Sequence, residues 1–175
     1  MNIIGKEIIL RAIEPQDNEV LRSMINDPEM EYMLGGWSFP VSSVAQAKWH
    51  ETLESDASII RCAIQLKNEA AIIGSVMLTD IDYKNGCAGI HIKICANNHR
   101  GKGYGTETIC LVTKFAFCEL RLNCIYAHVN EHNNISQRLF EKCGFNKEGI
   151  LKNRLYKRGE YVDVVSYSLL RSNSL

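Results

Sequence analysis

A chain of 175 residues that is 46% hydrophobic and 23% charged is long enough to bury a core without disulfide or metal staples. Its twenty basic residues balance its twenty acidic ones, which argues against nucleic acid as a partner, and no apolar run reaches the length of a membrane span. Met1–Glu7 lacks the charged-then-apolar layout of a leader, so the cytoplasm is the default compartment. Seven cysteines, at 62, 87, 95, 110, 118, 124 and 143, include no Cys-x-x-Cys pair and mostly interrupt apolar segments, as reduced core or near-core thiols do. Five histidines show no ligand spacing, so no metal is expected.

In chain order, Glu7–Ile13 predicts a first strand, and Glu14-Pro15-Gln16-Asp17 starts a helix that turns Val20, Leu21, Met24 and Ile25 inward and stops near Asn26-Asp27-Pro28. Residues 29–43, with Gly35-Gly36, Trp37, Phe39 and Pro40, predict a loop or broken helix. A second helix, about 44–55, offers Ala47, Trp49 and Leu53 as contacts. Strands follow at 58–66, 71–80 and 87–95, the last two joined by the hairpin signal Asn85-Gly86. The run Thr106–Leu120 predicts a helix with two apolar stripes, Ile109/Val112/Ala116/Leu120 and Leu111/Phe115/Cys118/Leu122, hence buried on much of its girth. Then come a strand at 123–129 and a helix at 134–143, with Asn134 and Gln137 resembling a capping box and Gly144 as its stop. Two strands, 146–156 and 160–170, close the chain. This order predicts an α/β (α+β) class with a mixed sheet flanked by helices and a right-handed parallel crossover over 88–129.

The turn Cys95–Glu107 joins a strand to a helix start. Gly101, Gly103 and Gly105 let an anion approach main-chain N–H groups there, with Arg100 and Lys102 adding positive charge, so the turn reads as a seat for a pyrophosphate. Neither the Walker loop nor the dinucleotide fingerprint fits, since Gly-Lys-Gly replaces Gly-Lys-Ser/Thr and Thr106 stands where a sixth-position glycine belongs. The pattern Arg100-x-x-Gly103-x-Gly105 instead resembles the acyl-CoA signature of the GNAT superfamily of N-acetyltransferases. Asn133-Asn134-Ile135-Ser136-Gln137-Arg138-Leu139-Phe140-Glu141-Lys142-Cys143-Gly144-Phe145 is similar to a second family segment. Glu148-Gly149, Gly159-Glu160-Tyr161-Val162-Asp163 and Leu10–Asp17 match the branch of ribosomal-protein N-terminal and spermidine acetyltransferases.

The resemblance implies one N-acetyltransferase domain over 1–175. Its GNAT fold would have a mostly antiparallel mixed sheet of about seven strands with four helices, two of the parallel strands splayed. It implies acetyl-CoA as cosubstrate, with pantetheine along Ile94, Cys95 and Ala96 and near Asn133. The pyrophosphate would rest on Arg100, Gly101, Lys102, Gly103, Tyr104, Gly105 and Thr106. The acceptor would be a primary amine, either a protein N-terminus or a small amine such as a polyamine, aminoglycoside or amino sugar. A homodimer is compatible with it.

Acetyl transfer needs a neutral amine, a donor for the oxyanion and a proton for the leaving thiolate. The family's tyrosine for the last role is Phe140 here, which leaves Ser136, one turn earlier, as the candidate acid and also a cofactor contact; otherwise it is an ordinary first-turn serine. His91 is the candidate base on the strand before the turn, or else a core or partner-facing histidine. Gly89 and Leu155 stand where relatives carry acids, and Tyr156 and Glu160 are weaker alternatives; burial and water can also deprotonate the amine. Glu31, Tyr32 and Trp37 would face the acceptor, acids drawing a cationic amine and aromatics stacking on it. A non-catalytic acetyl-CoA-binding module is the other reading that Phe140 leaves open.

Overall fold

The structure is a computed structural model that describes residues 1–36, 39–53, 55–95 and 99–173. Its strands are β1 (Ile3–Ile4), β2 (Ile8–Arg11), β3 (Ile60–Leu66), β4 (Ile72–Asp82), β5 (Cys87–Ile94), β6 (Cys124–Asn130), β7 (Asn146–Lys157) and β8 (Glu160–Leu170). They form one mixed sheet in the order β1-β2-β3-β4-β5-β6-β8-β7. Every neighbouring pair is antiparallel except β5 and β6, whose parallel ladder runs only from Cys87/Cys124 to Gly89/Tyr126. Past Gly89 the two strands no longer pair, which opens the middle of the sheet at one end.

Five α-helices flank the sheet: α1 (Asn18–Ile25), α2 (Pro28–Met33), α3 (Ser43–Glu51), α4 (Tyr104–Cys118) and α5 (Asn134–Lys142). The sheet thus has eight strands rather than seven, because the two-residue β1 is too short to show alternation. The extra helix is α2, in the stretch expected to be a loop or broken helix. Asp27 caps it, accepting from the Glu29 and Met30 N–H groups, and Pro28 occupies its first position.

Alternation along β5 divides the core in two. Ala88, Ile90, Ile92 and Ile94 pack with Ile109, Val112 and Ala116 of α4 on one face. On the other face Cys95 packs with Leu21, Met24 and Met30 beneath α1 and α2. Helix α4 is buried or half-buried on much of its girth, and its exposed residues, Cys110, Lys114 and Cys118, form one narrow stripe. Thr108, Thr113 and Phe117 join Ile109, Val112 and Ala116 inside, whereas Leu111 and Phe115 are half-buried and Cys118 is exposed. The two buried threonine hydroxyls are satisfied by the Tyr104 and Ile109 carbonyls at 2.8 Å. In α3 the inward residue is Gln46, and Ala47 is exposed. Asn133, not Asn134, caps α5 by accepting from Ser136 N–H, while Gln137 turns its amide to the Glu131 carbonyl. All seven cysteines are free thiols, and Cys110 and Cys118 are exposed rather than core.

Candidate active site

Helix α4 starts at the mouth of the gap between β5 and β6. Gly103, its N-cap, has φ 90° and Gly101 has φ 77°, left-handed values that an L side chain rarely adopts. A Cβ at either position would meet nothing within 4 Å, so the space above this backbone is open to a ligand. No side chain caps the helix, which leaves its first-turn N–H groups and the positive end of its dipole facing that space. Gly105 serves packing instead, since a Cβ there would lie 3.3 Å from Leu139 and 3.4 Å from Ile94.

A cavity of about 560 Å³ runs from this helix start between β5 and α5 towards α2. Of the residues proposed from sequence for a cofactor, Ile94, Arg100, Gly101, Gly103, Tyr104, Gly105, Thr106, Asn133 and Ser136 line it. Lys102 is exposed and does not line it; Ala96 lies outside the described residues. The Cys95 N–H is given to the Ile73 carbonyl at 2.8 Å and is not available to a ligand. By the antiparallel alternation that this bond sets, Ile92 and Ile94 turn their main chain away from β4, towards the side that β6 has left. Lys93, Arg138 and Lys142 also line the cavity and escaped the sequence reading. The four-residue spacing of Arg138 and Lys142 on one helix was their available signal.

Helix α2 is held by its last carbonyls, each reached from a different element. Lys157 Nζ donates to the Glu31 carbonyl (2.8 Å), Asn130 Nδ2 to that of Tyr32 (2.9 Å) and Asn133 Nδ2 to that of Met33 (3.1 Å). Donors gathered at a helix C-terminus satisfy its unpaired acceptors and its dipole. Behind α2 lies a second cavity of about 350 Å³, bounded by Met24, Ile25, Val41, Gln46 and Trp49. It shares Met30, Leu34 and Lys93 with the first, so these three residues form the wall between them.

The acidic and aromatic groups expected to hold a cationic acceptor already have partners. Lys157 Nζ pairs with the Glu31 carboxylate, and Arg158 reaches Glu29 at 2.8 Å. The same Arg158 guanidinium lies 4.1 Å from the centre of the Tyr32 ring, whose plane also stacks on His132. Neither Tyr32 nor its Arg158 partner lines either of these two cavities. Trp37 lies outside the described residues.

Ser136 is half-buried on the wall of the larger cavity, its N–H fixed by Asn133 Oδ1 at 3.0 Å. Asn133 therefore both caps α5 and ties it to α2. Phe140 is 3% exposed and packs edge-on to Phe145, so its ring belongs to the core. His91 borders neither cavity; it lies on the same face of β5 as Lys93, one side-chain step (about 7 Å) along the strand. Although the residue is exposed, its ring is crowded. Lost hydration first, then the Lys93 charge, hold its pKa below the usual value against the pull of Asp80. Burial likewise lowers the pKa of Lys93.

Residues 7–146 match the family model described as the acetyltransferase (GNAT) domain. The chain belongs to the GNAT family. This GNAT acetyltransferase is 36% identical over 174 residues to the spermidine N(1)-acetyltransferase of Vibrio cholerae, covering 98% of each chain. It is 33% identical over 168 residues to the SPbeta prophage-derived N-acetyltransferase YokL of Bacillus subtilis, covering 95% of this chain and 92% of that one. Among solved structures, that of spermidine N-acetyltransferase from Vibrio cholerae in complex with CoA and spermine is similar with a TM-score of 0.86 and 27% identity. The match covers 96% of this chain and 98% of that one. The resemblance read from the glycine turn and the Asn133–Phe145 segment is borne out, as is the mixed-sheet GNAT fold.

Proposed function

We propose that this acetyltransferase, a single N-acetyltransferase domain over 1–175, uses acetyl-CoA and acetylates a primary amine by direct attack in a ternary complex. The observation that carries the reading is the uncapped start of α4, reached through two left-handed glycines and opening on the gap between β5 and β6. Anions favour such helix ends, and Arg100, Arg138 and Lys142 add charge suited to phosphates. The CoA and spermine held by the Vibrio cholerae relative support both halves of the reading.

The thioester supplies an acetyl carbonyl whose carbon forms a bond to the amine nitrogen while the bond to sulfur breaks. Main-chain groups of Ile92 and Ile94 offer an extended edge for the pantetheine amides, and an N–H on that edge serves the oxyanion. Ser136 supplies a hydrogen bond or proton to the leaving thiolate. The acceptor arrives as an ammonium, with a pKa of about 10.4 if lysine-like, and must lose a proton before attack. Water takes that proton, since His91 is displaced from both cavities.

Gly103→Arg places a side chain in the proposed pyrophosphate seat. Titration calorimetry should show acetyl-CoA affinity falling by tenfold or more, with the circular dichroism spectrum retained. Unchanged affinity would refute the seat.

A further inference from the structure

The smaller cavity is mostly apolar, with Met24, Ile25, Leu34, Val41 and Trp49 on its wall. Two charged side chains border it, Glu31 and Lys93. The Glu31 carboxylate is held by Lys157, itself a buried side chain. Glu29 and the Tyr32 face, the other groups suited to a cation, are taken by Arg158. The β7–β8 hairpin thus supplies two cations of its own to the groups with which a polyamine would have to pair.

Lys93 is in the opposite position. It is half-buried on the wall common to both cavities, and among the described residues no hydrogen bond or ion pair engages its ammonium. Gln46 lies beside the same cavity at 2% exposure, and its Nε2 has no partner among the described residues. An ammonium partly withdrawn from water with no counter-charge loses hydration without compensation, and a bound anion supplies it. Burial lowers the pKa of Lys93, as expected of a cation that lacks such a partner.

We infer that the acceptor of this enzyme is an amine that also carries a carboxylate and an apolar body, the carboxylate seated on Lys93 and the apolar part between α1, α2 and α3. The inference rests on the acetyl-CoA reading above and narrows its acceptor. Lys93 lies where the acetyl group and the amine must meet, so a carboxylate held there brings its own amine to the thioester. The transfer balances: the ammonium loses one proton to water before attack, nitrogen takes the acetyl group as the bond to sulfur breaks, and the second proton, released by the acylated nitrogen, passes by way of Ser136 to the thiolate. The carboxylate belongs either to a free apolar amino acid or to an acidic side chain close to a peptide N-terminus.

The test compares kcat/KM, by thiol release, for leucine, leucinamide, spermidine and two peptides that begin Leu-Asp and Leu-Asn. Acetyl-CoA affinity is measured separately by calorimetry. With the wild-type protein a carboxylate acceptor should exceed its amide counterpart by tenfold or more, with spermidine below both. Preference for leucine over leucinamide identifies a free amino acid, and preference for Leu-Asp over Leu-Asn a peptide. Lys93→Met should bring the ratio to within about twofold of unity, and Lys93→Arg should restore a preference. Spermidine as the best acceptor, or a carboxylate preference that Lys93→Met leaves intact, overturns the inference while the cosubstrate reading stands. Failure of acetyl-CoA to bind the wild-type protein overturns both.

Discussion

Ser136 and Phe140 stand one turn apart on α5, yet the packing gives them opposite surroundings. Ser136 borders the larger cavity, whereas Phe140 lies among Phe145 and Tyr167 with 3% of its surface accessible. A hydroxyl can reach a leaving sulfur only from the first of these positions. Phe140→Tyr should therefore give no gain in turnover, and should cost about 1–3 kcal/mol in a urea titration because the new hydroxyl is buried without a partner. A gain in kcat would show that the ring swings into the cavity, against the packing. Ser136→Ala should lower kcat by about 10- to 100-fold with acetyl-CoA affinity retained, the range in which a positioned acid contributes. Undiminished turnover would remove Ser136 from the mechanism.

At the scale of elements, short segments decide the site. Helix α2 has six residues, but its capped start and its three anchored carbonyls make it the partition between the cavities. Asp27-Pro28 was legible in the sequence as the end of α1; that it also begins α2 was not, because the anchors, Asn130, Asn133 and Lys157, come from about a hundred residues downstream. The glycine turn and α5 were legible because their signals are local: left-handed glycines at a helix start, and a cap followed by an amphipathic turn. Lys93 was hidden for the converse reason. Within Ile90-His91-Ile92-Lys93-Ile94 a lysine on the alternate face reads as solvated, and the elements that close over it are remote in sequence. The corner between β2 and α1 makes a further element-scale case. Burial alone would raise the Asp17 pKa. Its bonds to Arg11, at 2.7 and 2.9 Å, and to the Glu14 N–H, at 2.8 Å, outweigh burial and hold it below the usual value. A depressed folded pKa stabilises the protein above the unfolded value of about 3.9, and that contribution is lost as pH falls through the folded value. Asp17→Asn should cost about 3 kcal/mol at pH 7, since it leaves Arg11 without its counter-charge. Urea titrations between pH 5 and pH 3 should show a shallower acid loss for the variant than for the wild type; parallel curves would mean that other carboxylates govern acid unfolding.

For the molecule as a whole, the opening between β5 and β6 divides an otherwise continuous sheet. The core beneath α4 and α5 and the core beneath α1 to α3 lie on opposite faces; β5 contributes to the first, and Cys95, directly after it, to the second. Along the open stretch, Ile92 and Ile94 are half-buried and have no β6 partner. A ligand that fills this opening supplies the missing strand edge and covers apolar surface, so it binds the folded state and has no comparable site on the unfolded chain. Binding of that kind stabilises by about 2.7 kcal/mol when the free ligand is 100-fold above its Kd. For a domain of this size each kcal/mol moves the melting temperature by about 2–4 °C, so acetyl-CoA should raise it by roughly 5–10 °C. Because net charge is zero, no global field contributes, and the rise should persist at moderate salt, reduced only as far as the local Arg100, Arg138 and Lys142 contacts are screened. Differential scanning calorimetry with acetyl-CoA, and with an equal concentration of ATP, separates this from a general polyanion effect. Equal shifts from both ligands would mean that phosphate charge alone is bound, whereas a shift specific to acetyl-CoA requires that the pantetheine arm occupy the opening between the strands.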